Sequence, residues 1–263
     1  MAIKVMNRLE SKYIITESIY HDFIKTVEKY TRLDEYNKNS DFYTISNIYY
    51  DTFDNSLIRA SISKPEYKEK LRLRAYGIPA EGDNVFIEIK KKHLGLVNKR
   101  RVELPLKQAY DFLINHHSEE SSQIINELSY TLKKYKPVPK VYIAYDRRAY
   151  FGENELRITF DKNIRTRRHD LQLEIGGGGT PLLKKGVYII EIKANGALPL
   201  WLARFLSENG IYKASFSKYG TEYIKFLKNG GEEKCLNQFF QQQKANQPQR
   251  LHSIGKMQLP QYV

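Results

Sequence analysis

The segment Lys70–Gly77 reads K-L-R-L-R-A-Y-G, an alternation of basic and apolar residues. Side chains two positions apart in a strand share a face, so its three basic residues line one face. Leu71 and Leu73 line the opposite face. The segment therefore predicts a β-strand with one basic and one aliphatic face.

The same alternation recurs in five other segments. Their charged faces carry Arg8, Glu10 and Lys12; Phe86, Glu88, Lys90 and Lys92; Lys99, Arg101 and Glu103; Arg157, Thr159 and Asp161; and Glu191 with Lys193. One such face alone is typical of a half-solvated antiparallel strand. Six faces that repeat basic residues with one or two carboxylates favour a shared function. An antiparallel barrel with its charged faces inward would collect these charges and remove exposed sheet edges.

Amphipathic segments between the strands can cover the aliphatic faces. Five helices are predicted from their apolar stripes and terminal residues: Thr16–Tyr30, Leu106–His116, Gln123–Lys134 behind Ser122, Pro199–Gly210 and Phe216–Leu227. Strands together with surrounding helices predict an α+β protein.

The charge balance points to an anionic ligand. Lys and Arg number 43 against 30 Asp and Glu, a net charge of +13. Such an excess suits nucleic acid, an anionic membrane or phosphate chains. Nucleic acid is disfavoured, because the basic residues alternate into one face of each strand instead of forming an exposed stripe. With one cysteine, no long apolar run and no signal-peptide block at the start, we expect a cytoplasmic protein.

Two stretches lack a regular pattern. Gly176–Gly179 is a run of four glycines without the Lys-Ser/Thr that follows in a P-loop, so we predict a flexible hairpin connection. From Gly230 the chain is rich in Gln, Asn and Lys. We predict one folded domain over residues 1–229 and a disordered polar tail over 230–263.

Nine short motifs, taken in order, resemble the VTC domain of polyphosphate polymerases within the triphosphate tunnel (CYTH-like) superfamily. They are R-L-E-S-K-Y (8–13), I-Y-Y-D-T (48–52), K-L-R-L-R-A-Y-G (70–77), F-I-E-I-K (86–90), N-K-R-R-V (98–102), Y-D-R-R-A-Y (145–150), L-R-I-T-F-D (156–161), I-E-I-K (190–193) and F-S-K-Y (216–219). Arg8 stands where the wider superfamily opens with Glu, as in the VTC branch. The resemblance implies a closed, eight-stranded antiparallel β-barrel, the triphosphate tunnel, surrounded by helices.

The resemblance also implies the site. The residues implied to bind phosphate, together with Arg101 and Lys193 from the charged faces, are Lys12, Arg72, Arg74, Lys90, Lys99, Arg101, Arg147, Arg157, Lys193, Ser217 and Lys218. Of these we expect Lys12, Arg72, Arg74, Lys90, Arg147 and Arg157 to act in catalysis with Glu191. One residue departs from the family: Ser215 stands where relatives often carry a Lys, and Lys213 is the candidate to compensate.

A divalent metal ion, Mn²⁺ or Mg²⁺, is expected at Glu191, with Glu10 as a second ligand, because phosphoryl transfer uses such an ion to neutralise phosphate charge. Glu88 and Asp161 are either further ligands or partners that orient neighbouring Arg side chains. The six His residues show no metal-binding spacing.

The resemblance implies metal-dependent transfer of the γ-phosphate of ATP to a growing polyphosphate chain. Hydrolysis of inorganic or nucleoside triphosphate at the same site remains an alternative, as does a non-catalytic polyphosphate sensor. ATP and polyphosphate or triphosphate are the expected ligands. Family members often work beside membrane proteins, so a peripheral association with a membrane partner is also implied.

Overall fold

A computed structural model describes residues 8–37, 41–63, 65–94, 96–116, 118 and 122–231. The chain divides into two compact units, residues 1–223 and 224–263. The first unit contains every strand of the described residues and their helices as far as the start of the last one. The described part of the second unit is the end of that helix and the residues up to 231. The predicted disordered tail lies outside the described residues beyond this point, so it stays a prediction.

Ten strands and six α-helices make up the described structure, which confirms the α+β class. In chain order they are β1 (Arg8–Thr16), α1 (Glu17–Tyr30), β2 (Thr31–Leu33), β3 (Tyr43–Asp51), α2 (Ser56–Ile62), β4 (Tyr67–Tyr76), β5 (Asn84–His93), β6 (Leu96–Pro105), α3 (Leu106–Asn115), α4 (Gln123–Tyr135), β7 (Val138–Gly152), β8 (Arg157–Arg167), β9 (Thr180–Pro181), β10 (Val187–Asn195), α5 (Leu200–Glu208) and α6 (Lys218–Lys228).

Eight strands form one continuous antiparallel path in the order β1-β10-β8-β7-β3-β4-β5-β6, and the short strands β2 and β9 pair with β7 and β8. Among the described residues no backbone pairing joins β1 to β6. The predicted closure of the barrel is therefore not confirmed. Closure would require the two terminal strands to exchange backbone hydrogen bonds, and here they end the path.

The sheet nevertheless curls, as contacts between side chains of distant strands in the path show. Lys90 Nζ of β5 lies 3.9 Å from a carboxylate oxygen of Glu10 in β1. The segment before α6 runs between the same regions: the backbone N–H of Ala214 donates to the carbonyl of Lys12 at 2.8 Å. Lys70 of β4 donates to Ser217 Oγ at 3.0 Å. The charged side chains thus line the inner face of a curled sheet.

Aliphatic side chains on the outer face form two separate hydrophobic clusters under the helices. One cluster packs β3–β6 against α3 and α4, with Leu73 and Phe112 among its buried members. The other packs β1, β8 and β10 against α1 and α5, with Ile190 and Phe23 among its members. This arrangement confirms the predicted charged-inside, apolar-outside sheet.

The five predicted helices are confirmed with small shifts of their ends, as expected for helix boundaries. The side chain of Ser122 caps α4 by accepting from the N–H of Ile125 at 3.2 Å. Helix α2 was not predicted. The N–H groups of Leu57 and Ile58, near its start, donate to the buried carboxylate of Asp51, both at 2.9 Å. Asp51 lies outside the helix, so the short helical segment alone does not reveal this partner.

The glycine run follows β8 and leads into β9, and these two strands pair antiparallel. The hairpin is therefore confirmed, and the flexibility of the connection stays a prediction. The connection is held by side chains of β8. Arg167 donates to the carbonyls of Gly176 and Gly178 at 2.7 and 2.9 Å. A Cβ at Gly179, whose φ is +152°, would lie 2.8 Å from the carbonyl oxygen of Thr166. The glycines therefore allow close approach of two backbones, and arginine contacts restrain the connection.

None of the helices in the described ranges combines the length and the apolar character that crossing a bilayer requires.

Candidate phosphate-binding site

A buried carboxylate organises the basic residues of β4, β5 and β6. The side chain of Glu88 is 2% exposed, and one of its oxygens pairs with Arg72 Nη2 at 2.6 Å. Lys99 approaches the other oxygen at 2.8 Å, while Arg74 and Arg101 lie 3.7 and 4.0 Å from the carboxylate. Four predicted phosphate-binding cations therefore surround one anion. Glu88 orients these groups and offsets part of their mutual repulsion.

The charge environment of Glu88 leads to a prediction about stability. Burial alone would raise its pKa, but Arg72, Arg74 and Lys99 lower the pKa from 4.5 to about 2. A depressed carboxylate pKa stabilises the fold above the unfolded pKa, and this stabilisation is lost as the pH falls toward the folded pKa. We therefore expect Glu88→Gln to cost on the order of 3 kcal/mol of unfolding free energy at pH 7.

The difference between wild type and Glu88→Gln should shrink as the pH falls from about 4.5 toward 2. Urea unfolding at a series of pH values measures it. A difference that stays constant over this range would show that Glu88 does not act through its charge.

A second buried carboxylate, Asp161 of β8, binds two further predicted residues. Its side chain is 1% exposed and accepts two parallel bonds from Arg147, at 2.7 and 2.8 Å. Lys218 at the start of α6 donates to the same carboxylate at 2.6 Å. Burial raises the pKa of Asp161, but the charges of Arg147 and Lys218 outweigh it and lower that pKa. The pairing places both cations on the inner face.

Glu191 and Glu10, the two predicted metal ligands, share a basic neighbour. Lys12 Nζ lies 3.8 Å from Glu191 and 3.9 Å from Glu10, and Lys193 lies 2.8 Å from Glu191. Burial disfavours the charged form of Glu191, yet Lys193 and Lys12 hold the pKa of this carboxyl far below its usual range. Glu191 is therefore ionised at neutral pH, as a metal ligand must be.

The donor set fits a metal ion that is also coordinated by phosphate oxygens. Within the described ranges, no cluster of three or more His, Cys, Asp or Glu side chains forms a complete metal cage. Mg²⁺ is commonly held by one or two carboxylates together with substrate phosphates and water. Glu191 and Glu10 supply that number of carboxylates, and phosphate oxygens would complete the set.

Arg157 and its neighbour Thr159 occupy β8 beside Glu191. Arg157 lies 3.5 Å from Asp34 and pairs in register with Lys193. The hydroxyl of Thr159, in register with Glu191, is buried and has no hydrogen-bond partner in the described structure. This hydroxyl can therefore donate to an oxygen of a bound ligand, a role that the sequence analysis did not assign.

Three further side chains of the inner face were not among the predicted phosphate-binding residues, although the sequence analysis placed Lys70 on the basic face of its strand. Lys70 donates to Ser217, and burial lowers its pKa to about 8. Burial alone would raise the pKa of Tyr49, but nearby cations, Arg72 foremost, lower it to about 8. Tyr145 accepts from Arg74 at 3.4 Å. The period-two spacing within Y-D-R, which places Tyr145 on the same face as Arg147, could have identified Tyr145 as well.

Lys213 does not lie where it could compensate for Ser215, the residue two positions before Ser217 that differs from the family. Lys213 bridges to Tyr13 in β1, and directly paired residues of neighbouring strands project to the same side. Tyr13 is buried in the outer cluster, whereas Lys12 faces inward. Lys213 therefore lies on the outer side, and the expected compensation for Ser215 is not supported.

A curled antiparallel sheet with a cationic inner face and outer helices has the architecture of triphosphate tunnel (CYTH-like) proteins. The chain belongs to the VTC domain family, whose model matches residues 7–227. This confirms the resemblance predicted from the nine motifs. No curated protein sequence matches the chain.

Solved structures share the fold at low sequence identity. A proposed adenylate cyclase from Bacillus halodurans is 14% identical with a TM-score of 0.51, covering 81% of this chain and 96% of the other. A proposed adenylyl cyclase from Hippeastrum with a dominant triphosphatase activity is 16% identical with a TM-score of 0.49, covering 85% and 96%. The former supports the fold assignment.

Proposed function

We propose that the chain is a metal-dependent polyphosphate polymerase, which transfers the γ-phosphate of ATP to the end of a polyphosphate chain and releases ADP. The observation that carries the proposal is the inner face itself. Its cations are gathered around Glu88, Asp161 and Glu191, within a family named for the VTC domain. Arg offers planar, paired donors to phosphate oxygens, so these groups match a chain of phosphates.

The carboxylates support phosphate over water as the acceptor. In the transfer, a terminal oxygen of the chain bonds to the γ-phosphorus while the bond from that phosphorus to the β-phosphate oxygen breaks. The attacking oxygen is already anionic, so no proton has to be removed. Water would need a base. Neighbouring cations lower the pKa of Glu88, Asp161 and Glu191, which makes these three carboxylates weak bases. Hydrolysis would instead have to use Lys70 or Tyr49, whose pKa values are about 8.

The cations would act by position and charge. Arg72, Arg74 and Arg147 would bind the oxygens of the reacting phosphates and neutralise charge as the bond to the β-phosphate breaks. Glu191 and Glu10 would hold a Mn²⁺ or Mg²⁺ ion, which supplies further neutralisation of phosphate charge. Thr159 would donate to a phosphate oxygen beside Glu191.

Incubation of the purified protein with ATP and Mn²⁺ or Mg²⁺, followed by gel separation of phosphate chains, tests the proposal. We expect a ladder of chains together with ADP. Free phosphate without chains would replace the polymerase by a triphosphatase. An absence of turnover, with tight binding of tripolyphosphate, would instead support a non-catalytic sensor.

A further inference from the structure

Four aromatic side chains form a wall beside the cationic face. The rings of Tyr36 and Tyr76 stack at 5.1 Å with an interplanar angle of 11°. Tyr43 lies 5.9 Å from Tyr36 and 6.1 Å from Tyr76. Phe86 meets Tyr76 edge-on at 5.7 Å. None of these four residues belongs to either of the two outer hydrophobic clusters.

The aromatic wall continues the charged face along its strands. Tyr76 follows Arg74 by two positions in β4, and Phe86 precedes Glu88 by two positions in β5, so each pair shares a face. Tyr43 pairs in register with Arg147 of β7. The aromatic rings and the phosphate-binding groups are therefore neighbours on one face of the sheet. A single bound molecule could contact both.

Tyr36 is the solvent-exposed member of this aromatic wall that stacks on Tyr76. The residue is 65% exposed although one face of its ring is stacked on Tyr76. A guanidinium contributes at the other side of the wall, where Arg101 Cζ lies 3.9 Å from the centre of the Phe86 ring. A large exposed aromatic ring costs free energy in water, and a further planar group could extend the stack.

We propose that the nucleobase of the nucleotide substrate stacks on Tyr36, with its triphosphate directed inward toward Arg74 and Arg147. This inference rests on the proposed function and adds to it a nucleoside subsite. Base stacking on aromatic rings tolerates any base, because every base has a π-face. The subsite would thus favour nucleoside triphosphates over inorganic triphosphate without selecting strongly among bases.

Calorimetric titration with ATP and with tripolyphosphate in EDTA-containing buffer tests the subsite, because both ligands carry three phosphates and only ATP carries a base. We expect Tyr36→Ala to weaken ATP binding by about tenfold, in the range for loss of one base–aromatic stack. Binding of tripolyphosphate should stay unchanged. Tyr36→Phe keeps the ring and should bind both ligands as wild type does.

Tyr130→Ala provides a matched control, because Tyr130 is 64% exposed and lies on α4, which covers the outer face. We expect it to bind both ligands normally. If Tyr36→Ala weakened the binding of ATP and of tripolyphosphate equally, or left ATP binding unchanged, the nucleoside subsite would be overturned. The proposed phosphate-binding function would not be affected by either result. Failure of the wild type to bind tripolyphosphate would overturn the proposed function and the subsite together.

Discussion

Glu191→Gln is expected to lower the turnover of ATP strongly while preserving binding of tripolyphosphate. The variant keeps the size of the side chain but removes the charge that would hold the metal ion. A metal ion contributes several kcal/mol of transition-state stabilisation in such reactions, and each 1.36 kcal/mol corresponds to tenfold in rate. We therefore expect kcat to fall by ~100-fold or more.

The affinity for tripolyphosphate should instead be maintained or increased. Lys193 and Lys12 lie 2.8 and 3.8 Å from Glu191, and without its charge both ammonium groups would face the ligand unopposed. We expect tripolyphosphate to bind Glu191→Gln at least as tightly as wild type in metal-free buffer. The measurements are steady-state release of ADP over a range of Mn²⁺ concentrations and calorimetric binding.

Glu127→Gln is the matched control for this comparison. Glu127 also pairs with a basic residue, Arg100 at 3.1 Å, but it belongs to α4, over the outer face of the sheet. Its substitution should leave both turnover and binding near the wild-type values. Full activity of Glu191→Gln would remove Glu191 from the metal site and leave Glu10 to be tested in the same way.

The strands could be predicted from sequence because a period of two is a local signal. In K-L-R-L-R the alternation identifies both the strand and the side that faces the cations, and the structure places Arg72 and Leu73 on opposite faces as expected. Closure of the sheet depends instead on the tilt and stagger of eight strands. No segment of the sequence encodes that relation by itself, and the prediction of a closed barrel went beyond the local pattern.

The ion pairs within the site could likewise not be predicted from local sequence. Arg72 and Glu88 are 16 residues apart, and Lys218 and Asp161 are 57 apart, so only the register of the strands and the return of the chain before α6 bring them together. Sequence analysis left the roles of Glu88 and Asp161 open. The structure shows both as partners of basic side chains, and the metal role of Glu191 and Glu10 remains a proposal.

A protein with a cationic inner face must remain folded when its ligand is absent. Buried like charges repel one another strongly in a medium of low dielectric constant, and Glu88 and Asp161 reduce this cost at two separate positions of the inner face. Bound phosphate chains would add negative charge where the internal carboxylates leave cations uncompensated. Ligands that bind only the folded state stabilise it, so tripolyphosphate should raise the temperature of unfolding.

The pair Arg147–Asp161 is expected to contribute the largest single effect on stability. Both side chains are buried and share two parallel hydrogen bonds. Removing one member of a buried pair leaves an uncompensated charge and typically costs about 3 to 5 kcal/mol. We expect Arg147→Met and Asp161→Leu each to lower the free energy of unfolding by this amount, measured by urea unfolding at neutral pH.

The double variant Arg147→Met/Asp161→Leu separates charge pairing from packing. With both charges absent, its loss of stability should be smaller than the sum of the two single losses, by about 1 to 3 kcal/mol. Lys218 still contacts Asp161 at 2.6 Å when Arg147 is replaced, so Arg147→Met should be the milder single variant. Strict additivity of the two losses would show that each side chain acts through its own packing, and that Asp161 does not hold Arg147 in place for the ligand.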